Sequence, residues 1–123
     1  MPLAGARVDI WHCDAGGTYS DEAQNNSSGK KFLRGYQTTD DSGAVNFTTI
    51  YPGWYSGRTV HINFRIRTYS GSTKLDEFVA QIFFDDTLTD TVFKSEPYST
   101  RPNRDTRNAN DMVVTGTRNG SVV

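Results

Sequence analysis

The most constraining feature of the sequence is a strict alternation of apolar and polar side chains near its middle. In residues 60–68, apolar side chains occupy every second position: Val60, Ile62, Phe64 and Ile66. The positions between them are polar: His61, Asn63, Arg65 and Arg67. A period of two is typical of a β-strand with one apolar face and one polar face. We therefore predict a strand here, with His61 and Asn63 side by side on its polar face.

Other short segments have strand character and are separated by turn residues. Strands are predicted over residues 6–11, 32–39, 44–50, 75–84 and 112–117, and a short helical turn over residues 86–93. The Asp, Ser and Gly residues of 40–43 predict a hairpin between the second and third of these strands. No long helical period and no internal repeat is visible. The pattern predicts an all-β fold, specifically a single-domain β-sandwich of short, mostly antiparallel strands.

Length and charge exclude several classes of function. The chain has 123 residues, which predicts one domain over residues 1–123, and its formal net charge is −1. This charge gives no electrostatic reason to expect a nucleic acid or an anionic membrane surface as partner. The apolar runs are only a few residues long, whereas roughly 20 residues are needed to cross a bilayer. We expect neither nucleic acid nor membrane as a partner.

The sequence leaves the cellular compartment open. The chain has a single cysteine, Cys13, so no internal disulfide can form, and we expect this thiol to be buried. The first six residues lack the basic, apolar and cleavage regions of a signal peptide. Acceptor triplets for glycosylation begin at Asn25, Asn26, Asn46 and Asn119. They would suit a secreted protein, but such triplets are also common by chance in a chain rich in Ser, Thr and Asn.

The polar face of the central strand is the first candidate site. Side chains two residues apart on a strand project in the same direction, so His61 and Asn63 can converge on one point. A His-x-His pair at this spacing often binds a metal, but here the second residue is asparagine. Tyr19 and Tyr55 are further candidates, because a phenol with a pKa of roughly 10 becomes an anionic ligand beside a strong Lewis acid such as Fe(III). From these residues alone, ordinary packing and hydrogen bonding are the favoured explanation.

A series of motifs runs in a fixed order from residue 2 to residue 84. They are PLAGA from residue 2, DIW from residue 9, GTY from residue 17, FLRGYQTTD from residue 32, GAVNFTTIYPGWY from residue 43, GRTVHI from residue 57 and QIFF from residue 81. In this order and at these spacings they resemble the intradiol ring-cleavage dioxygenases, which include catechol 1,2-dioxygenases and protocatechuate 3,4-dioxygenases. Residues 97–98 and 105–111 look like the tail of the same family.

The resemblance implies a β-sandwich that holds a non-haem ferric ion between two tyrosinates, two histidines and a hydroxide. Tyr19 matches the tyrosine that stays bound, and Tyr55 matches the axial tyrosine that is released when a catechol binds. His61 matches the first histidine. Asn63 stands where the family has its second histidine. These four residues are the metal ligands that we expect.

The resemblance also implies the catalytic residues and the substrates. Arg58 and Gln81 match residues that line the substrate pocket and stabilise negative charge, and they join Tyr55 as expected catalytic residues. The implied reaction inserts O₂ into a catechol-type aromatic diol and gives a muconate. Family enzymes usually carry an N-terminal segment, often for dimerisation, and this chain begins almost at the first motif. We therefore expect that segment to be absent, and the oligomeric state, a homodimer included, stays open.

Asn63 is the departure that divides the functional hypotheses. An amide oxygen is a weaker donor to Fe(III) than an imidazole, so three outcomes follow: a weakened but loaded iron site, water in the vacant position, or no iron. His12, the only other histidine, lies on the first motif, away from the pair. One hypothesis is an intradiol dioxygenase impaired by Asn63. The alternative is a catalytically inactive family member that binds an aromatic compound or a protein through the former substrate pocket.

Overall fold

The computed structural model describes residues 2–116 and, for the backbone alone, residues 120–122. In this part of the chain the strands are β1 (Arg7–Trp11), β2 (Arg34–Thr38), β3 (His61–Ser70), β4 (Thr73–Phe83) and β5 (Gly120–Val122). They form one sheet in the order β2-β1-β3-β4-β5. The β4–β5 pair is parallel, whereas the other neighbouring strands are antiparallel. Residue Thr117 of the predicted last strand and the triplet at Asn119 lie outside the described residues.

Short helical segments lie outside the sheet in the described residues. Helix α1 spans Asp86–Val92 and helix α2 spans Met112–Gly116. Single 3₁₀ turns occupy Ala23–Asn25, Tyr98–Thr100 and Asn108–Asn110. No helix in the described part of the chain is both long enough and apolar enough to span a membrane.

Most of the strand predictions are confirmed, because local alternation and local turns decide them. The segments predicted at residues 6–11, 32–39, 60–68 and 75–84 appear as β1, β2, β3 and β4. The turn between β3 and β4 contains Gly71, which takes a left-handed φ of 60°. The helical turn predicted at residues 86–93 is α1. Its N-terminal cap is Asp85, whose side chain accepts hydrogen bonds from the backbone N–H groups of Thr87 and Leu88.

The predicted strand at residues 44–50 is wrong, and so is the hairpin that it would form. The turn itself exists, because the Asp40 carboxylate accepts hydrogen bonds from the backbone N–H groups of Ser42 and Ala44. After the turn, however, residues 44–50 form no strand, and β2 is an edge strand that is paired with β1 alone in the described residues. The ladder between β1 and β2 continues at Thr39, which donates its N–H to the carbonyl of Ala6 at 2.8 Å and accepts from the N–H of Gly5 at 3.0 Å. Other contacts hold the segment after the turn: Gly43 lies against Leu3, and the hydroxyl of Thr49 contacts the ring of His12 at 2.8 Å.

The predicted strand at residues 112–117 is also wrong, since residues 112–116 form α2. The reason is the residue that precedes the segment. The Asp111 side chain accepts hydrogen bonds from the backbone N–H groups of Val113 at 2.8 Å and Val114 at 3.1 Å. This N-terminal cap satisfies two donors of the first helical turn and outweighs the strand preference of two adjacent valines.

The sheet confirms the all-β class, whereas the two-sheet sandwich is not confirmed, because the strands of the described residues all belong to one sheet. Residues paired across the antiparallel ladders share a face. His61 pairs with Phe83, and Asn63 pairs with both Gln81 and Trp11. His61 is 2% exposed and Asn63 is 8% exposed, so the polar face at the start of β3 is buried. It lies beneath the loops that contain residues 12–20 and 51–59.

The segment after α1 folds back onto that helix through ion pairs. Arg104 contacts the carboxylates of Asp86 at 3.0 Å and Asp90 at 2.6 Å, and Arg107 contacts Asp90 at 2.9 Å. Hydrogen bonds from Arg107 and Arg104 lower the pKa of Asp90 to about 2. These contacts hold residues 98–111 in position, and this segment in turn supports the loop of residues 51–59.

The depressed pKa of Asp90 predicts an acid-dependent loss of stability. Because the folded pKa lies below the unfolded value, the Asp90 carboxylate stabilises the fold above about pH 4, and this stabilisation is lost as the pH falls toward 2. We expect D90N to unfold at a lower temperature than the wild type at pH 7 and at the same temperature near pH 2. Thermal unfolding followed by circular dichroism at both pH values measures this. D41N, in the exposed turn of residues 40–43, is the control, and a deficit in D90N that persists at pH 2 would contradict the prediction.

Asp111 is predicted to be a major contributor to stability. Its carboxylate is fully buried and accepts from Arg58, Thr59 and two N–H groups of α2. D111A leaves the Arg58 guanidinium without its carboxylate, so we expect the free energy of unfolding to fall by about 3 kcal/mol. Urea denaturation measures the change. D105A removes an exposed carboxylate that accepts three hydrogen bonds, and this loss should be much smaller because water replaces the carboxylate. Equal losses in the two variants would overturn the prediction.

Candidate metal centre

Two loops and two strands bring the predicted site residues together. The loop after β1 carries Tyr19, and the loop before β3 carries Tyr55 and Arg58. His61 and Asn63 lie at the start of β3. Gln81 lies on β4, where it is paired with Asn63. The six residues predicted from the sequence thus lie on neighbouring elements on one face of the sheet.

The two loops are in direct backbone contact, which requires glycine at two positions. A Cβ added at Gly17, whose φ is 82°, would lie 2.2 Å from the carbonyl oxygen of Trp54. A Cβ added at Gly53 would lie 2.3 Å from the carbonyl oxygen of Ala15. The N–H of Gly53 donates to the carbonyl of Asp14 at 3.0 Å. This contact fixes the spacing between the segments that carry Tyr19 and Tyr55.

The segment after α1 braces the second loop from the other side. Trp54 donates its indole N–H to the carbonyl of Arg101, and the Arg101 guanidinium donates to the carbonyl of Trp54, both at 2.7 Å. The Asp105 carboxylate accepts from the Ser56 hydroxyl at 2.6 Å and from the Gly57 N–H at 3.1 Å. The sequence marked residues 105–111 as a family tail but assigned them no role. Their role here is to hold the loop that presents Tyr55 and Arg58.

Three potential ligand atoms converge at the centre of this arrangement. Tyr19 Oη lies 3.3 Å from Tyr55 Oη and 3.1 Å from His61 Nε2, and Tyr55 Oη lies 3.2 Å from His61 Nε2. Ligand atoms that each lie about 2 Å from one transition-metal ion are separated from one another by about 3 Å. Two phenols and an imidazole at these distances therefore fit a ferric ion in spacing and in donor chemistry.

His61 is oriented and protonated as a metal ligand should be. Its Nδ1 lies 2.7 Å from the carbonyl oxygen of Thr59, which can only accept, so Nδ1 carries the proton. The unshared pair of Nε2 therefore faces the two tyrosines. Burial disfavours the imidazolium and lowers the pKa of His61 to about 4. The ring is neutral at pH 7 and available to bind a cation.

The two tyrosines need a cation before they can ionise. Burial raises the pKa of Tyr19 far above the ordinary value, and the hydrogen bond with Tyr55 raises it further. Burial also raises the pKa of Tyr55, although its hydrogen bond with Tyr19 and the positive charge of Arg58 oppose this. A strong Lewis acid beside both oxygens reverses the effect, because it stabilises the phenolates directly.

Asn63, Gln81 and Arg58 form a hydrogen-bonded chain that reaches this cluster. Asn63 Nδ2 donates to Tyr19 Oη at 3.1 Å, and Asn63 Oδ1 accepts from Gln81 Nε2 at 2.9 Å. Gln81 Oε1 accepts from Arg58 Nη2 at 2.5 Å. Arg58 Nε donates to Asp111 Oδ2 at 2.8 Å. Asp111, which the sequence motifs contained but did not single out, is therefore the far end of the chain that starts at Tyr19.

A mostly apolar cavity of about 370 Å³ opens beside the cluster. Asn63 and Gln81 form its polar side, and the rest of its lining comes from β4 and α2: Val79, Ala80, Met112, Val113 and Gly116. A larger recess of about 410 Å³ lies over β1 and β2, and its lining includes none of the six predicted site residues. The smaller cavity adjoins the hydrogen-bonded chain through Asn63 and Gln81, and Tyr19, Tyr55 and His61 are not among its lining residues.

Other chemically capable side chains lie apart from the cluster. The Cys13 thiol is buried and donates to the carbonyl of Gly53 at 3.3 Å, and burial raises its pKa to about 12. The ring nitrogens of His12 contact the carbonyl of Cys13 at 2.7 Å and the hydroxyl of Thr49 at 2.8 Å. Within the described residues no group of three or more His, Cys, Asp or Glu side chains could hold a metal ion. The cluster that contains Tyr19, Tyr55 and His61 is therefore the candidate metal centre.

Comparison with solved structures supports the same family. An intradiol ring-cleavage dioxygenase from Tetranychus urticae matches 93% of this chain and 59% of its own, with 33% identity and a TM-score of 0.81. The dioxygenase domain of a dioxygenase carbohydrate-binding protein fusion from Streptomyces sp. SirexAA-E matches 74% of this chain and 54% of its own, with 30% identity and a TM-score of 0.54. The chain thus spans less than two thirds of each of these proteins.

Comparison of sequences agrees with this result. A catechol 1,2-dioxygenase from Candida albicans (strain SC5314 / ATCC MYA-2876) is 40% identical over 55 residues, which are 44% of this chain and 18% of that protein. The family whose description reads "Dioxygenase" matches residues 1–118. A match over nearly the whole chain, joined to these relatives, shows that the chain belongs to the intradiol ring-cleavage dioxygenase family.

Proposed function

We propose that this chain is a non-haem Fe(III) intradiol dioxygenase that inserts O₂ into a catechol-type aromatic diol to give a muconate. The observation that carries the proposal is the convergence of Tyr19 Oη, Tyr55 Oη and His61 Nε2 at 3.1 to 3.3 Å from one another. Packing alone gives no reason for two phenols to share one imidazole nitrogen beneath two glycine-braced loops. Family membership supplies the chemistry that such a cluster serves.

Each protein group has a distinct task in this proposal. Ferric iron, when bound, supplies a Lewis acid that ionises the phenols and withdraws electron density from a chelated diol. Tyr19 and His61, at 8% and 2% exposure, hold their positions. Tyr55 is less deeply buried than Tyr19, so its oxygen would be the one that yields to the diol and takes up a proton from it.

Arg58 and the apolar cavity act on the substrate. The Arg58 guanidinium is fixed between Asp111 and Gln81, so its positive charge is already oriented when negative charge develops on the diol. Preorganised charge of this kind is worth a few kcal/mol, about 2.7 to 4 in measured cases of a single donor. The cavity lined by Val79, Met112 and Val113 provides an apolar surface for the aromatic ring.

The two-sheet sandwich belongs to the same proposal. The face of the sheet opposite the cluster carries half-buried apolar side chains: Val8, Ile10, Ile62, Phe64 and Ile66. Phe78 on this face is 46% exposed. A second sheet packed on this surface would complete the sandwich that the sequence predicts.

One observation favours the alternative, a catalytically inactive member that binds an aromatic compound or a protein. Asn63 turns its amide nitrogen, which has no lone pair to share, toward Tyr19. The position of the second family histidine therefore offers no metal ligand in this arrangement. The cavity of about 370 Å³ would still accept an aromatic ring.

Ferric iron binding tests the proposed function directly. We expect the purified protein to take up about one Fe(III) per chain and to acquire a tyrosinate-to-iron charge-transfer band, because both phenols lie at the centre. Y19F and Y55F should each weaken the band, whereas Y36F, which alters a tyrosine of β2 that is 58% exposed, should not. Oxygen uptake with catechol, followed with an oxygen electrode, measures turnover. If the protein stays colourless with Fe(III) and consumes no oxygen with catechol, the proposed enzymatic function is refuted.

The variant N63H should strengthen the site. An imidazole two residues after His61 supplies the missing nitrogen ligand, and the adjoining cavity leaves room for the larger ring. We expect iron affinity to rise by about 10- to 100-fold, the range over which groups around a metal site change affinity, with faster oxygen uptake. Competition with a ferric chelator measures the affinity. No gain in N63H would show that Asn63 does not limit iron binding.

A further inference from the structure

We infer that Asn63 is a positioning residue that donates a hydrogen bond to the Tyr19 oxygen and is held in that orientation by a relay that begins at Asp111. The relay is defined as Asp111, Arg58, Gln81, Asn63 and Tyr19, in that order. Each neighbouring pair is joined by one hydrogen bond of 2.5 to 3.1 Å. Its direction of donation follows from the chemistry of its members.

The Arg58 end fixes the direction of both amides. A guanidinium can only donate, so the Gln81 atom that faces Arg58 at 2.5 Å must be the oxygen. The nitrogen of Gln81 then faces Asn63 and can only donate, so the Asn63 atom that receives it at 2.9 Å is Oδ1. The amide nitrogen of Asn63 is left to face Tyr19.

The backbone of β1 fixes the same direction independently. The amide nitrogen of Asn63 also lies 3.1 Å from the carbonyl oxygen of Trp11, which can only accept. Trp11 is paired with Asn63 in the β1–β3 ladder, so this carbonyl cannot turn away without breaking the sheet. Turning the amide over would place oxygen against oxygen at Trp11 and nitrogen against nitrogen at Gln81. Arg58, acting through Gln81, and the carbonyl of Trp11 therefore require the same orientation of the Asn63 amide.

Asp111 makes the relay rigid. Its carboxylate is fully buried and also accepts from the N–H of Thr59 at 2.8 Å, beside the carbonyl that orients His61. The same carboxylate caps α2. Three other donors thus immobilise the Asp111 carboxylate, which in turn holds Arg58. The position of Arg58 then sets the orientation of the Gln81 and Asn63 amides.

The consequence for the site is a division of roles. An amide nitrogen supplies no electron pair to a cation, and the Asn63 oxygen faces Gln81 while its nitrogen faces Tyr19, so Asn63 does not bind iron in this orientation. Its N–H instead stabilises negative charge on the Tyr19 oxygen, as a charge-assisted hydrogen bond does. The protein ligands are then Tyr19, Tyr55 and His61. The part of this inference that concerns iron rests on the proposed function, whereas the direction of the relay does not.

The direction of the relay is measurable without iron. In the ¹⁵N-labelled, iron-free protein, the side-chain amide pair that disappears in N63L belongs to Asn63. We expect this pair to exchange with solvent at least about 10-fold more slowly than the amide of the exposed Asn46, because both of its protons are hydrogen-bonded in a buried site. Y19F should shift one of the two protons and leave the one bonded to Trp11 in place. Fast exchange in the wild type, or unshifted protons in Y19F, would overturn the relay.

The effect of Asn63 on iron binding is tested with uncharged substitutions, so that no change in net charge contributes to the measured affinity. N63L removes the donor, and we expect it to lower Fe(III) affinity by about 10- to 100-fold in competition with a chelator. Q81M frees the Asn63 oxygen and loosens the amide, so we expect a loss of about 10-fold in the same direction. If Asn63 bound iron through oxygen, Q81M would bind iron equally well or more tightly, and that result would overturn the inference. Q37M, at an exposed position of β2, is the control.

The iron-free NMR measurement and the iron-affinity measurement together separate this inference from the proposed function. A wild-type protein that takes up no ferric iron refutes the proposed function, and the exchange and shift measurements still decide the relay. A wild-type protein that binds iron while the Asn63 amide exchanges fast keeps the function and refutes the relay. Iron binding together with slow exchange and weaker binding in Q81M supports both.

Discussion

The buried carboxylate of Asp111 is the constraint on which the rest of the site depends. It accepts four hydrogen bonds, from Arg58, from the backbone of Thr59 and from the first turn of α2. A buried charge is stable only when it is fully paired, and here the pairing joins three separate parts of the chain. The loop before β3, the last helix and the polar face of the sheet are therefore held by one group. Loosening it would disturb the orientation of Arg58 and of His61 together.

The sequence predicted what local pattern decides and failed where distant neighbours compete. Alternation at Val60 to Arg67 predicts β3 because packing on one face requires a period of two. The segment 44–50 has the same character but joins no ladder, because contacts with distant residues, such as that of Thr49 with His12, hold it elsewhere, and no local pattern reveals them. The two valines of 113–114 favour a strand in isolation, and the Asp111 cap overrides that preference.

For the site, the resemblance to a family supplied residues that composition and spacing left open. The structure brings Tyr19, Tyr55 and His61 to within hydrogen-bonding distance, and their roles as ligands stay predictions. The orientation of the Asn63 amide could not be predicted from the sequence. It is set by the guanidinium of Arg58 and the carbonyl of Trp11, which are neighbours only in the folded chain. The role of the residue at this position therefore follows from its hydrogen-bond partners in the folded chain and not from its residue type alone.

The glycine contact between the two tyrosine loops has a consequence for motion. Gly17 and Gly53 bring backbone against backbone, so the loops behave as one frame whose spacing cannot widen without losing the Gly53 hydrogen bond. Under the proposed function, Tyr55 would give way to a diol by turning about its own side-chain bonds while its loop stays in place. Exchange of Tyr55 for substrate would then require no opening of the fold.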